Sequence, residues 1–386
     1  MARISPSDAA PANRSTQGFS LSEDLFNAHT TAQLAGEFAV LPGFDAARFQ
    51  HAVLTGLGRL GLLERMEHIA TCAEAQLPRD FNAMAEALEA SMPAPLDPGL
   101  RDDDFGQFIH AVPGILAVRH GLEDHRDRAL DLLHAATRRF SMEFYIRPFL
   151  NRWPDETLAR LRLWAEDDNY HVRRLVSEGT RPRLPWARNI TLDPLVPLDL
   201  LDRLHADPSR YVTRSVANHL NDITKIDAVA VLGQLSGWQS DARQSGKELG
   251  WMTRHALRSL IKQGHEGAMA HLGYAPEADV QVSDLSLGGA VFAPGDSLEI
   301  SATLTAPQIT PVIVDYVLHF ARPGGKTATK VFKFRTTEIT KAPLILRKRH
   351  VLKANATTFT LYPGDHALEL QINGRARARC AFELKG

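Results

Sequence analysis

The spacing of apolar residues changes once along the chain. Up to residue 275, Leu- and Ala-rich segments place apolar residues three and four apart, the period of a helix with one buried face. From residue 276, short runs such as SLEISATLT, VIVDYVLHF, TKVFKFRT and HALELQING alternate apolar with polar residues, and APGD, RPGG and YPGD punctuate them as turns. About seven or eight strands in roughly 110 residues predict an antiparallel sandwich of immunoglobulin type over 276–386, although its Cys-Trp-Cys hallmark is missing. Residues 1–20 are small and polar, and are expected to form a disordered tail, not a secretory signal. The chain therefore divides into an all-α domain at 21–275 and an all-β domain at 276–386.

Within the helical part, HVRRLVSEG from 171, YVTRSVANHL from 211 and WMTRHALRSL from 251 align at a constant offset of 40 residues. The alignment superposes Val172, Val212 and Met252, then Arg174, Arg214 and Arg254, then Glu178, Asn218 and Arg258. A looser fourth copy, TRRFSMEFYI, puts Arg139 and Glu143 in the same columns. Helix pairs repeating at this length are the pattern of HEAT-like solenoids, whose second helices line a concave surface. ETLARLRLWAEDD and PLDLLDRLHAD are then outer helices.

Residues four apart share a helix face. Four polar rows follow: Arg139, Glu143 and Arg147; Arg174 and Glu178; Arg214, Asn218 and Asp222; Arg254, Arg258 and Lys262. Intrahelical ion pairing on a solvated face is the plain explanation. Arg before a carboxylate is, however, the less favourable order for such a pair, and Glu178 would face the negative end of its helix dipole. A groove of arginines with inserted acids suits a polyanion backbone together with a site that meets positive charge.

The net charge of −1 neither suggests nor excludes nucleic acid, because a groove needs local charge. Residues 276–386 carry 14 Lys and Arg against 10 Asp and Glu, leaving 30 against 35 for the remainder. The basic excess gathers at Lys326, Lys330, Lys333 and Arg335 and at Arg347, Lys348 and Arg349. Cys72 and Cys380 are too few and too far apart for a disulfide scaffold, and with no apolar run long enough to span a membrane they fit a reducing cytoplasm. The sixteen histidines show no metal-binding spacing, so no metal and no cofactor are expected.

The segments EFYIRPFL (143–150), WAEDDNYHVRRLVSEGTRPRLPWA (164–187), YVTRSVANHLNDITK (211–225) and ALRSLIKQGHEGAMAHLGY (256–274) resemble the AlkC branch of the HEAT-like DNA alkylation repair glycosylases. The resemblance extends over nearly the whole chain, including the immunoglobulin-like domain. It implies cleavage of the N-glycosidic bond of bases alkylated at ring nitrogens, 3-methyladenine and 3-methylcytosine, in double-stranded DNA, without extrusion of the base into a deep pocket. It also implies a surface cluster of carboxylates and an aromatic: Glu143, Glu178, Trp186 and Asp222. Asn218, which occupies the repeat column of Glu178, competes with Asp222 for the last place. The arginine rows, with Arg347 and Lys348 of the sandwich, would then hold DNA, and the protein is taken as a monomer of the bacterial cytoplasm, acting at the nucleoid.

Alkylation makes the base a cationic leaving group, and bond breaking develops positive charge on the sugar. Carboxylates stabilise that charge and can deprotonate a water. A Trp face adds a cation–π contact worth about 0.5–2 kcal/mol. The first lysine in the chain is Lys225, so the first three rows offer no amine for a Schiff base, and a monofunctional enzyme using water is expected. Trp164 and His171 are expected to be packing residues. The competing reading is a non-catalytic helical-repeat scaffold for nucleic acid or protein. A carbohydrate-binding role for the sandwich has little to stand on, since no aromatic platform is assigned to its strands.

Overall fold

The computed structural model describes residues 21–97, 105–354 and 360–385. The tail expected at 1–20 lies outside them. The chain forms two compact units, 1–256 and 257–386.

The first unit is helical. Its helices are α1 (Leu21–Leu25), α2 (Ala28–Phe38), α3 (Ala46–Gly56), α4 (Leu62–Glu74), α5 (Phe81–Ala90), α6 (Val112–Leu116), α7 (Arg126–Thr137), α8 (Ile146–Arg152), α9 (Pro154–Trp164), α10 (Tyr170–Gly179), α11 (Leu198–Leu204), α12 (Arg210–Ile223), α13 (Ala228–Asp241) and α14 (Gly246–Ala256). A π-helical turn, Ala117–Gly121, continues α6. Several starts are set by side-chain caps: Asn27, Asp45, Asp80, Asn169 and Asp227 each accept a backbone N–H of the first turn, a contribution of about 1 kcal/mol apiece.

The offset of 40 residues is the distance along the chain between stacked helices. α10 packs on α12 and α12 on α14, while α9, α11 and α13 are their respective partners. Val172, Val212 and Met252, superposed by the repeat, are all fully buried. Trp164 is buried on α9, and His171 is buried with its ring 4.1 Å from that of Tyr170, so both are packing residues. Gly179 serves close approach: a Cβ there would stand 2.5 Å from Cγ2 of Ile146, so α10 can end tight against α8 only without a side chain.

The fourth copy is not a helix. α7 stops at Thr137, and the chain reaches α8 through a non-helical stretch in which Phe140 bridges to Gly106 and Ser141 N–H donates to Phe105 O. Those backbone groups bond outside the stretch and leave no helical ladder to carry Arg139, Glu143 and Arg147 on one face.

The second unit opens with α15 (Arg258–Gln263) and α16 (Glu266–His271), followed by β1 (Gln281–Ser286), β2 (Val291–Phe292), β3 (Ser297–Thr305), β4 (Thr310–Arg322), β5 (Lys326–Ile339), β6 (Leu344–Val351), β7 (Gly364–Ile372) and β8 (Arg375–Leu384). One sheet has the order β1-β3-β6 and the other β2-β8-β7-β4-β5; all pairings are antiparallel except β2 with β8. Alternate residues of both sheets, among them Leu298, Ile300, Val314, Tyr316, Leu346 and Leu368, fill the core between them. α15 and α16 read as helix by pattern yet belong to this unit. A Cβ on Gly264 would stand 2.3 Å from the Gly374 carbonyl oxygen, and Arg375 pairs with Glu266 at 2.6 Å.

The β7–β8 turn is an Asn-Gly pair. Asn373, at φ +48° and fully buried, receives the Ile313 N–H on its carbonyl at 2.9 Å and donates to Ala275 O at 2.9 Å and Pro311 O at 3.3 Å. Asn373→Ala would orphan the Ile313 N–H and place a less tolerant residue at positive φ, at a cost of about 2–4 kcal/mol. Calorimetry of the full chain should show the sandwich transition several degrees lower in this variant, and an unshifted transition would contradict the assignment.

Candidate active site

Five charged side chains from three neighbouring segments form one continuous buried chain. Arg174 on α10 bonds Glu143 in the turn before α8 and lies 3.4 Å from Glu178, one helical turn further along α10. Glu178 accepts from Arg181 at 2.6 Å, and Arg181 reaches Asp222 on α12 at 2.8 Å. Lys225 closes the series at the rim, 3.3 Å from Asp222. Hydroxyls complete the shell: Ser141 donates to Glu143 at 2.8 Å, and Ser215 donates to Glu178 at 2.6 Å. The side chains of Glu143, Glu178 and Asp222 are only 12, 7 and 6% exposed, so three carboxylates are withdrawn from water together.

Their environments differ. Burial pushes the Glu143 carboxyl above its ordinary range; Arg174 opposes this and the charge of Glu178 adds to it. Burial acts the same way on Glu178, but Arg181 and Arg174, with the bonds from Ser215 and Arg181, outweigh it and hold that carboxyl at about 2. Burial also disfavours the two guanidinium charges, yet the carboxylates around them raise both above their ordinary value. Behind the chain lies His219, fully buried, with Nδ1 3.0 Å from Ser177 O; burial and then Arg181 lower its pKa to about 3, so the ring is neutral. Glu178 does sit in the last turn of α10, against the helix dipole. What compensates it is internal, namely Arg181 just beyond the helix and Arg174 one turn back.

Trp186 lines a cleft of about 290 Å³ that includes Arg119 and also Phe144 and Tyr145, the two residues after Glu143. The tryptophan is 40% exposed at φ +63°, a backbone region that bulky residues rarely adopt. Its loop is fastened by Arg147, whose guanidinium donates to Arg188 O at 2.6 Å, Arg181 O at 2.7 Å and Gly179 O at 3.1 Å. Burial and Arg181 lower the Arg147 pKa to about 10.

The expected DNA-facing rows are therefore rearranged. Arg147 and Arg174 are buried and committed to protein partners, so neither guanidinium is presented to a phosphate. Arg139 leaves the row: it donates to Pro93 O and Ala135 O, both at 2.9 Å. Arg214 is half-buried, 5.7 Å from the Tyr211 ring centre, and Asn218 meets His255 at 2.8 Å. Arg254 is exposed on α14, whereas Arg258 and Lys262 lie on α15 in the second unit. On β6, Arg347 is exposed on the outer face. Lys348 points the other way, bonded to Lys333 O with Nζ 5.6 Å from the Tyr316 ring, as strand alternation requires. Tyr316, Phe332, Phe334 and His350 cluster beside Lys348, an aromatic group that the strand pattern did not reveal. Among the described residues no group of three or more His, Cys, Asp and Glu is placed to hold a metal.

The uncharacterized protein YhaZ of Bacillus subtilis (strain 168) is 30% identical over 367 residues, which cover 94% of this chain and 99% of that one. The domain family described as the C-terminal Ig-like domain of uncharacterised protein YhaZ matches residues 281–386. The solved structure of Pseudomonas fluorescens alkylpurine DNA glycosylase AlkC, bound to DNA containing an abasic site analog, is 35% identical and aligns with a TM-score of 0.83 over 94% of this chain and 99% of that one. The chain belongs to the AlkC family.

Three members of the AlkC-family cluster escaped the sequence pattern. Arg181 follows α10 and fits no repeat column; its only signal was a second arginine beside Glu178 in SEGTRPR. Ser215 shares its column with Leu175 and His255, so the repeat assigns that position no consistent character. Ser141 lies in the stretch misread as helix.

The depressed Glu178 gives a pH test. Its folded pKa lies below the ordinary 4.5, so it stabilises the fold above that pH, by about 3 kcal/mol at most, and the contribution disappears as pH falls towards 2. The gap in urea stability between the parent chain and Glu178→Gln should therefore be widest near neutrality and narrow progressively below pH 4.5. A gap independent of pH would contradict the ion-pair assignment.

Proposed function

We propose that the chain is a DNA glycosylase of alkylation repair, which hydrolyses the N-glycosidic bond of cationic N-alkylated bases in duplex DNA and so begins base excision repair. The observation that carries this reading is the buried chain of three carboxylates held by two arginines. Burying ion pairs contributes little net stability, and often less than apolar packing of the same volume would. Such a cluster with carboxyl pKa values driven apart is the kind of arrangement catalysis uses. The likeness to AlkC, by name an alkylpurine DNA glycosylase, supports the same reaction class.

The roles follow from the electrostatics. Glu178, ionised at every physiological pH, stabilises the positive charge that develops on the sugar. Glu143, with its raised pKa, is the better proton acceptor for an attacking water. Asp222 holds Arg181 and adds a third negative charge. Trp186 offers its face to the cationic nucleotide. The substrates are 3-methyladenine and 3-methylcytosine, attacked within the duplex without extrusion into a deep pocket. The stacked helices, read as HEAT-like repeats, and the basic outer face of β6 hold the DNA, and the protein acts as a monomer on chromosomal DNA. A scaffold would tolerate the loss of any one of these carboxylates in function, which separates the two readings.

Glu178→Gln and Glu143→Gln should each slow release of 3-methyladenine from methylated duplex DNA more than tenfold, a barrier increase above about 1.4 kcal/mol, with DNA affinity nearly unchanged. Parental rates in both variants would refute the assignment.

Lys225 brings one amine to the rim, closer than the lysine distribution implied, but it is paired with Asp222. The nucleophile remains water, so borohydride should trap no protein–DNA adduct. An adduct, with Lys225 the residue to map, would overturn the monofunctional mechanism.

A further inference from the structure

The cleft beside Trp186 has no part in holding the carboxylates. One side is α4, with Leu63, Met66 and Glu67, packed on the end of α6 and the π-helical turn, with Ile115, Val118 and Arg119; Phe144, Tyr145 and Trp186 complete the lining. Its volume of about 290 Å³ lies just below the roughly 300–1,000 Å³ usual for small-molecule sites and is room enough for one flat heterocycle.

Two features of the cleft are unfavourable for the protein alone. Trp186 leaves 40% of a large apolar residue in water and sits at φ +63°, strain of order 1–3 kcal/mol. A π-helical turn, the rare form that recurs at functional sites, shapes part of the lining. Arg147 holds the Trp186 loop through three carbonyls, so neither exposure nor strain is relieved by relaxation of the loop. A planar ring lying on the indole would cover it and gain stacking.

The polar groups are few and lie at the edges. Arg119 donates to Glu67 at 2.9 Å, and Glu67 keeps 59% of its side chain exposed, so acceptor lone pairs remain open. Burial, with the charge of Glu67, pushes the Tyr145 phenol above its ordinary value, which keeps it a hydrogen-bond donor. A donor and an acceptor at the rim of an aromatic slot match the mixed edge of a nucleobase. Phe144 and Tyr145 directly follow Glu143, so the slot begins at the carboxylate cluster.

We propose that this cleft binds the free purine base released by the reaction, stacked on Trp186 with its edge at Tyr145 and Glu67. The inference rests on the glycosylase reading and adds to it a product site distinct from the carboxylates.

The test titrates the full chain, without DNA, with free 3-methyladenine, followed by calorimetry. The parent chain should bind one equivalent with Kd below about 1 mM. Leu63→Phe and Val118→Phe enlarge side chains that are already partly exposed at the cleft, so they fill it without entering the core. Each should weaken binding at least tenfold while the circular dichroism melt stays unchanged. Added free base should slow multiple-turnover excision by the parent chain and not by the filled variants. A chain that releases methylated base from DNA yet binds no free base, or filled variants that bind it as well as the parent, would overturn the cleft assignment alone. A chain that releases no base would overturn the reading beneath it and this inference together.

Discussion

Arg181 joins Glu178 to Asp222, and the geometry of the site depends on that link. Helices α10 and α12 bring the two carboxylates to one level, where alone they would repel each other in a medium that screens poorly. The guanidinium between them, reinforced by Arg174 behind Glu178, makes their joint burial possible. The bonds spend the inner lone pairs of each carboxylate on fixed donors. They leave an arrangement that is rigid and almost dry, with its carboxylates already fixed to meet developing positive charge at little reorganisation cost.

The same economy shapes the neighbouring loop. Arg147, buried beneath residues 179–188, uses its donors on three carbonyls. In doing so it sets both the position of Arg181 and the backbone of Trp186. An arginine that bonds only backbone carbonyls thus governs the clamp and the aromatic together. The tight packing of Gly179 against Ile146 removes the slack that would let this loop move away.

The change of apolar rhythm was enough to read an all-α part followed by a β-sandwich, and the columns Val172, Val212 and Met252 anticipated how α10, α12 and α14 stack. The columns of charge were less faithful. A repeat superposes backbone positions, whereas the fate of an arginine depends on what the loops bring to it. Arg174 meets Glu143 from a turn and is buried, Arg214 lies against Tyr211, and Arg254 meets solvent. Arg181 and Ser141 come from non-repeating segments, and periodicity carries no information about those. On β6 the lesson is simpler: adjacent strand residues face opposite ways, so Arg347 and Lys348 could not share a phosphate surface.

On the proposed reading, three buried carboxylates held in place by Arg174 and Arg181 select and assist a positively charged leaving base. The most direct measurement compares single-turnover base release by the full chain from two duplexes of equal sequence, one carrying cationic 3-methyladenine and the other the uncharged damaged base hypoxanthine. Release of 3-methyladenine with hypoxanthine left in place is the expected result. Equal release of both, or of neither, would contradict it.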